Sequence, residues 1–178
     1  MTTLIDTDEQ LLEGCLAQDR VWQRRLFEAY KKPMYSVVYR ILNHEDHAHD
    51  ALQEGFIAVF RDLGQFQGKS SLLGWIKTIM VRKALQKLKI EHQYQLLDIS
   101  QSTPVSLIEW PNPLTGEALD RAIRALPAGY RAVFTLIEVE GYSHKEAADL
   151  LQISEGTSKS QLYHAKKLLR AKLTDLYR

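Results

Sequence analysis

The chain has 178 residues, 45% of them hydrophobic and 25% charged, which is ordinary for a folded protein with one core or two small ones. Its formal net charge of +1 excludes a general attraction to nucleic acid, so such binding needs basic groups gathered on particular faces. Cys15 is the one cysteine, so no internal disulfide exists and no cysteine-based metal site is expected.

The start of the chain has no secretory signal pattern and no apolar run approaches membrane-spanning length. A cytoplasmic chain without membrane insertion is expected. Residues 7–42 read as helical, with one apolar stripe of Leu11, Leu12, Cys15 and Leu16 and another of Trp22, Leu26, Phe27 and Tyr30. Pro33 predicts a break or a new helix start. Tyr35, Val38, Tyr39, Ile41 and Leu42 continue the apolar face, and the whole stretch reads as core.

Residues 45–63 form a second helical pattern, with Ala48, Ala51, Leu52, Gly55, Phe56, Val59 and Phe60 inward. His47, Asp50, Gln53, Glu54 and Arg61 face out. Asp50, Gln53 and Glu54, at i, i+3 and i+4, make a compact acidic and polar patch. His44, His47, His49, Asp50 and Glu54 also invite a metal reading, but no second helix offers a matching Glu-x-x-His and His49 lies off the patch. No metal is expected.

Glycines and serines make residues 64–71 a loop, and a long helix follows over 72–92. Trp75, Ile76, Ile79, Met80, Ala84, Leu85 and Leu88 are its inward positions. Lys69, Lys77, Arg82, Lys83, Lys87 and Lys89 make this the most basic segment of the first half, able to grip a nucleic-acid backbone. The 94–115 stretch holds three of the five prolines and lacks helical periodicity, so it reads as a semi-extended linker in which Trp110 docks on a neighbouring surface or a partner. Two amphipathic helices, 116–126 and 128–140, are split by Pro127.

The 141–170 stretch predicts a helix-turn-helix. Ser143 and Glu146 make a capping box, and Ala147, Ala148, Leu150 and Leu151 supply the buried side. Gln152-Ile153-Ser154 is the break, with Ser154 a second N-cap near Thr157. In the helix that follows, Ser158, Leu162, Ala165, Leu169 and Leu173 form an inward stripe. Ser160, Tyr163, His164 and Lys167 point away from it, with Lys159 and Gln161 on the flanks. Short polar groups early in a helix, followed by cations, suit base edges and phosphates in a major groove. No glycine-rich phosphate loop, G-x-S-x-G or Cys–His pairing occurs, so neither an enzyme nor a cofactor is expected.

Several motifs follow in a fixed order. They are Asp50-Ala51-Leu52-Gln53-Glu54-Gly55-Phe56, Phe66-Gln67-Gly68-Lys69-Ser70-Ser71 and Gly74-Trp75-Ile76, then Leu126-Pro127-Ala128-Gly129-Tyr130-Arg131-Ala132-Val133-Phe134, Glu140-Gly141-Tyr142-Ser143 and Ser154-Glu155-Gly156-Thr157. Over nearly its whole length the chain thereby resembles the extracytoplasmic-function (ECF) sigma factors of the sigma-70 family. The resemblance implies an all-α protein: a region 2 bundle over 1–94, an extended linker over 95–115, and a region 4 four-helix domain with the helix-turn-helix over 116–178.

The same resemblance implies binding to core RNA polymerase and promoter-specific initiation of transcription, with promoter DNA as a second partner and an anti-sigma factor as a third. Asp50, Gln53 and Glu54 would dock on the polymerase. Phe66, Gln67, Gly68, Lys69, Ser70 and Ser71, with Lys77, Arg82 and Lys83, would hold the melted −10 strand. Thr157, Lys159, Ser160, Gln161, His164 and Lys167 would meet the −35 element. The chain departs from the family pattern at Gln152, where glycine is usual, at Ser158, where an aliphatic residue is usual, and at Val81-Arg82 and Gln86, which replace an Arg-Asn pair and an Asp. A different end to the first helix and a weaker buried side of the second are the expected consequences. The alternative reading is a stand-alone helix-turn-helix regulator binding duplex DNA as a dimer. It leaves the Asp50–Glu54 patch without a purpose.

Overall fold

The structure, a computed structural model, describes residues 7–97 and 116–174, and side chains there except those of 90–97, 117–118 and 173–174. The predicted linker over 98–115, Trp110 and the Leu173 side chain lie outside the described residues. Every described element is helical, and the helices fall into two compact units. One holds described residues 7–39 and 44–84; the other holds 40–43, 85–97 and 116–174.

Thr7 opens the first unit. Its hydroxyl accepts from the Gln10 amide while the Gln10 side chain accepts from the Thr7 amide, a capping box that starts α1 (Asp8–Leu16). Leu11 and Cys15 are buried, but Leu16 is half exposed, so the predicted stripe is one residue too wide. Gln18, at φ 58°, turns the chain, and Asp19 accepts from the Val21 amide to begin α2 (Arg20–Leu42).

Pro33 does not break this helix: α2 runs straight through it. A proline inside a helix removes one hydrogen bond and costs about 3 kcal/mol. Leu26 and Tyr30 before it and Met34, Val37 and Val38 after it are all buried, at a spacing that only an unbroken helix provides. Burying such side chains contributes roughly 1.5–3 kcal/mol each, which outweighs the local penalty.

α3 (Glu45–Asp62) buries Ala48, Ala51, Leu52, Gly55, Phe56, Ala58 and Val59. It ends in a 3-10 turn, Leu63–Gln65, and α4 (Leu72–Leu97) follows. Gly55 fixes how close α3 and α4 come: a Cβ there would sit 2.2 Å from Sδ of the fully buried Met80. α4 outlasts the expected end at 92, because Gln93, Tyr94, Gln95, Leu96 and Leu97 carry neither Gly nor Pro.

In the second unit, α5 (Gly116–Arg124) and α6 (Ala128–Phe134) are joined through Pro127, and a π-helical turn, Thr135–Val139, extends α6. α7 (His144–Leu151) and α8 (Glu155–Thr174) complete it. Ala122, Ile123, Leu126, Ala165 and Leu169 form its core, with Tyr130 and Phe134 packed against them. Among the described residues no helix is long and apolar enough to cross a membrane.

Candidate nucleic-acid interface

Two short caps set the helix-turn-helix. The Ser143 hydroxyl accepts from the Glu146 amide, and the Ser143 amide and hydroxyl both donate to the Glu146 carboxylate at 2.8 and 2.7 Å. Those bonds hold the Glu146 carboxyl below the ordinary glutamate range. α7 ends at Gln152 in the left-handed region, φ 57° and ψ 44°. Despite the missing glycine the helix thus closes in the usual left-handed way, with a side chain accepting the strain. Ser154 then accepts from the Thr157 amide at 2.9 Å and starts α8.

On α8, Ser158, Leu162, Ala165 and Leu169 are buried as the spacing predicts, while Leu150 and Leu151 of α7 are only half buried. The fully buried Ser158 keeps its hydroxyl satisfied by His144 Nδ1 of α7, at 3.0 Å. A buried hydroxyl with no partner costs about 1–3 kcal/mol, so this bond removes the weakness expected of a serine on the inward stripe.

The six predicted base and phosphate contacts on α8 have distinct surroundings. Ser160 and Lys167 are exposed. Lys159 pairs with Glu155 one turn back, 2.8 Å away, and the ammonium lowers the Glu155 carboxyl. The Thr157 hydroxyl shares a hydrogen bond with Ser154 Oγ at 2.8 Å. Gln161 is half buried over Gly129, and the exposed His164 ring stacks on Tyr130 with centroids 5.9 Å apart. Tyr163, 65% exposed and edge-on to His164, shares this surface. Lys166 bonds to Glu138 at 2.7 Å and ties α8 to the π-helical turn.

In the first unit the loop after α3 is shaped by its glycine and serines. Gly68 has φ 67°, a backbone state that glycine enters without strain. Ser71 caps α4 by accepting from the Gly74 amide at 3.1 Å. Phe66 packs on Trp75, ring centroids 5.6 Å apart, whereas Gln67, Gly68, Lys69, Ser70 and Ser71 are exposed. Along α4, Arg82 is exposed and Lys77 half buried. Val81 is fully buried and so belongs to the core rather than the basic face.

Asp50, Gln53 and Glu54 are exposed on one face of α3, as their spacing requires. Lys83 of α4 reaches across to Glu54 at 3.6 Å, bringing together two residues expected to serve different partners. The sequence reading passed over Ile57, which is 61% exposed in the same row as Gln53 and Arg61. Its signal was the i, i+4, i+8 spacing 53–57–61, which puts an isoleucine among polar outward residues. His44 and His47 stack with centroids 4.0 Å apart, and among the described residues no group of three or more His, Cys, Asp or Glu is placed to hold a metal.

Among the described residues both units are helical, one ending in a capped helix-turn-helix and the other carrying a basic helix beside a polar patch. Residues 26–92 match the family model "Sigma-70 region 2" and residues 116–169 match "Sigma-70, region 4". The ECF RNA polymerase sigma factor SigM of Mycobacterium tuberculosis is 26% identical over 163 residues, covering 92% of this chain and 83% of that one. The ECF RNA polymerase sigma-E factor of Salmonella typhimurium is 28% identical over 191 residues, covering 97% of each. Among solved structures, the sigma factor RpoE of Bartonella quintana, in complex with the anti-sigma factor NepR, has the same fold. Its TM-score is 0.59 at 21% identity, covering 85% of this chain and 96% of that one. The chain belongs to the sigma-70 family, as a sigma factor of the ECF group. It binds core RNA polymerase and recognises promoters, and the stand-alone regulator reading falls away because both sigma regions are present.

Proposed function

We propose that initiation is divided between the two units residue by residue. α8 reads the −35 element from the major groove, with Ser160 and the flanking Lys159 and Gln161 toward base edges. Lys167 holds phosphate, and His164 is fixed in place by Tyr130. The observation that carries this reading is the separation of faces on α8: a buried stripe of Ser158, Leu162, Ala165 and Leu169 opposite an exposed hydroxyl-and-lysine surface.

The 66–71 loop takes the melted −10 strand, with Phe66 and Trp75 as aromatic surface and Lys69, Lys77 and Arg82 as cations. Asp50, Gln53 and Glu54 dock on core polymerase around Ile57, an apolar centre within a polar rim. Lys83, bonded to Glu54, supports that docking face as well as the basic helix. The domain boundaries near 94 and 116, an anti-sigma partner, action in the cytoplasm and the absence of any catalytic step of its own complete the proposal.

Replacing Asp50 and Glu54 together with alanine should weaken core-polymerase binding about tenfold or more while leaving helicity unchanged. Affinity equal to the parent would remove the docking role. Lys159→Ala or Gln161→Ala should change which −35 sequence is preferred, while Lys167→Ala should weaken all sequences about equally.

A further inference from the structure

His144 is the first residue of α7 and Ser158 lies in the first turns of α8, so their 3.0 Å hydrogen bond joins the two helices of the reading motif close to where α8 starts. Ser158 is fully buried, at the start of the inward stripe that Leu162, Ala165 and Leu169 continue. The exposed neighbours Thr157, Lys159 and Ser160 sit on either side of it in sequence, so any rotation of α8 about its axis that moved Ser158 would move them too. A serine offers little apolar surface to fix such a rotation, whereas one directional bond to an imidazole does.

The rest of the motif reinforces this point of attachment. His144 follows the Ser143 cap, so the capping box holds its backbone, and it is only partly exposed. Glu155 is a charged group near both His144 and Lys145, and it is engaged by Lys159 on α8. Hydrophobic packing further along α8, at Leu162, Ala165 and Leu169, holds the helix in the unit but is spread along its length.

We infer that His144 is a positioning residue for promoter recognition: through Ser158 it sets the rotation of α8, and with it which base edges Lys159 and Ser160 address. This rests on the reading of α8 as the −35 helix. A consequence is that the pair governs discrimination between −35 sequences more than it governs affinity or folding.

The test uses the full chain assembled with core polymerase, transcribing from a panel of promoters that differ at single −35 positions. His144→Ala and Ser158→Ala should each reduce discrimination between the preferred and the altered −35 sequences by roughly fivefold, the worth of one hydrogen bond. The double variant should lose no more than either single one. His144→Asn, whose amide can occupy the place of Nδ1, should restore most of the discrimination. Thermal melting of each variant runs alongside.

Additive losses, or unchanged discrimination with lowered melting temperature, would overturn the positioning role and leave a purely structural bond. Lys159→Ala and Ser160→Ala serve as controls for the underlying reading. Where they shift preference and the His144 and Ser158 variants do not, only the positioning role fails. If none of the four shifts preference, α8 does not read bases and both statements fall.

Discussion

The α3–α4 seam of the first unit and the α7–α8 seam of the second solve one problem in opposite ways. α3 starts at His44 with no side-chain cap, and α3 and α4 are held by apolar burial and by the close approach that Gly55 permits against Met80. α7 has eight residues, is fixed by a complete capping box, ends in a strained left-handed Gln152, and meets α8 through a buried serine and a histidine. Long helices carry enough apolar surface to be fixed by packing. A helix of two turns does not, and depends on its ends. The difference teaches where each unit is vulnerable: the first to volume, the second to polar groups.

Volume should give the largest effect. Gly55→Ala places a methyl group 2.2 Å from Sδ of the fully buried Met80, so that side chain must shift within the core. It should cost about 1–3 kcal/mol by denaturant unfolding. Hydrogen exchange should show the loss in α3 and α4 and leave α7 and α8 protected as before. A loss spread equally over both units would break the comparison.

A smaller effect is expected at the cap. Ser143→Ala removes the start of α7 and should cost about 1 kcal/mol at neutral pH. The Glu146 carboxyl is lowered by its bonds from Ser143, so the stability it adds is complete above the ordinary glutamate pKa and disappears as pH falls through the lowered value. The difference in melting temperature between parent and Ser143→Ala should therefore shrink in acid. A difference independent of pH would remove Glu146 from the cap.

The smallest effect has the opposite sign. Gln152→Gly relieves a left-handed backbone at a non-glycine residue and should stabilise the second unit by about 0.5–1 kcal/mol, a rise of a few degrees in melting temperature. Should the variant melt lower, the side chain of Gln152 contributes more than its backbone costs.

Much of this protein was legible in its residues because the signals are local or periodic. Ser143 and Glu146, or Ser154 and Thr157, lie three residues apart, so their caps are written into the chain. The inward stripe of α8 and the outward Asp50–Gln53–Glu54 patch follow from helical spacing, and the family resemblance follows from the order of short motifs. Tertiary structure decided what depends on residues remote in sequence. Pro33 stays inside α2 because a shared core outweighs a local rule. Val81 is core although it stands where the family carries a polar pair, Lys83 meets Glu54, and Ser158 finds His144. A residue's spacing states which face it occupies, but only the packed neighbour opposite settles what that face costs and what it can do.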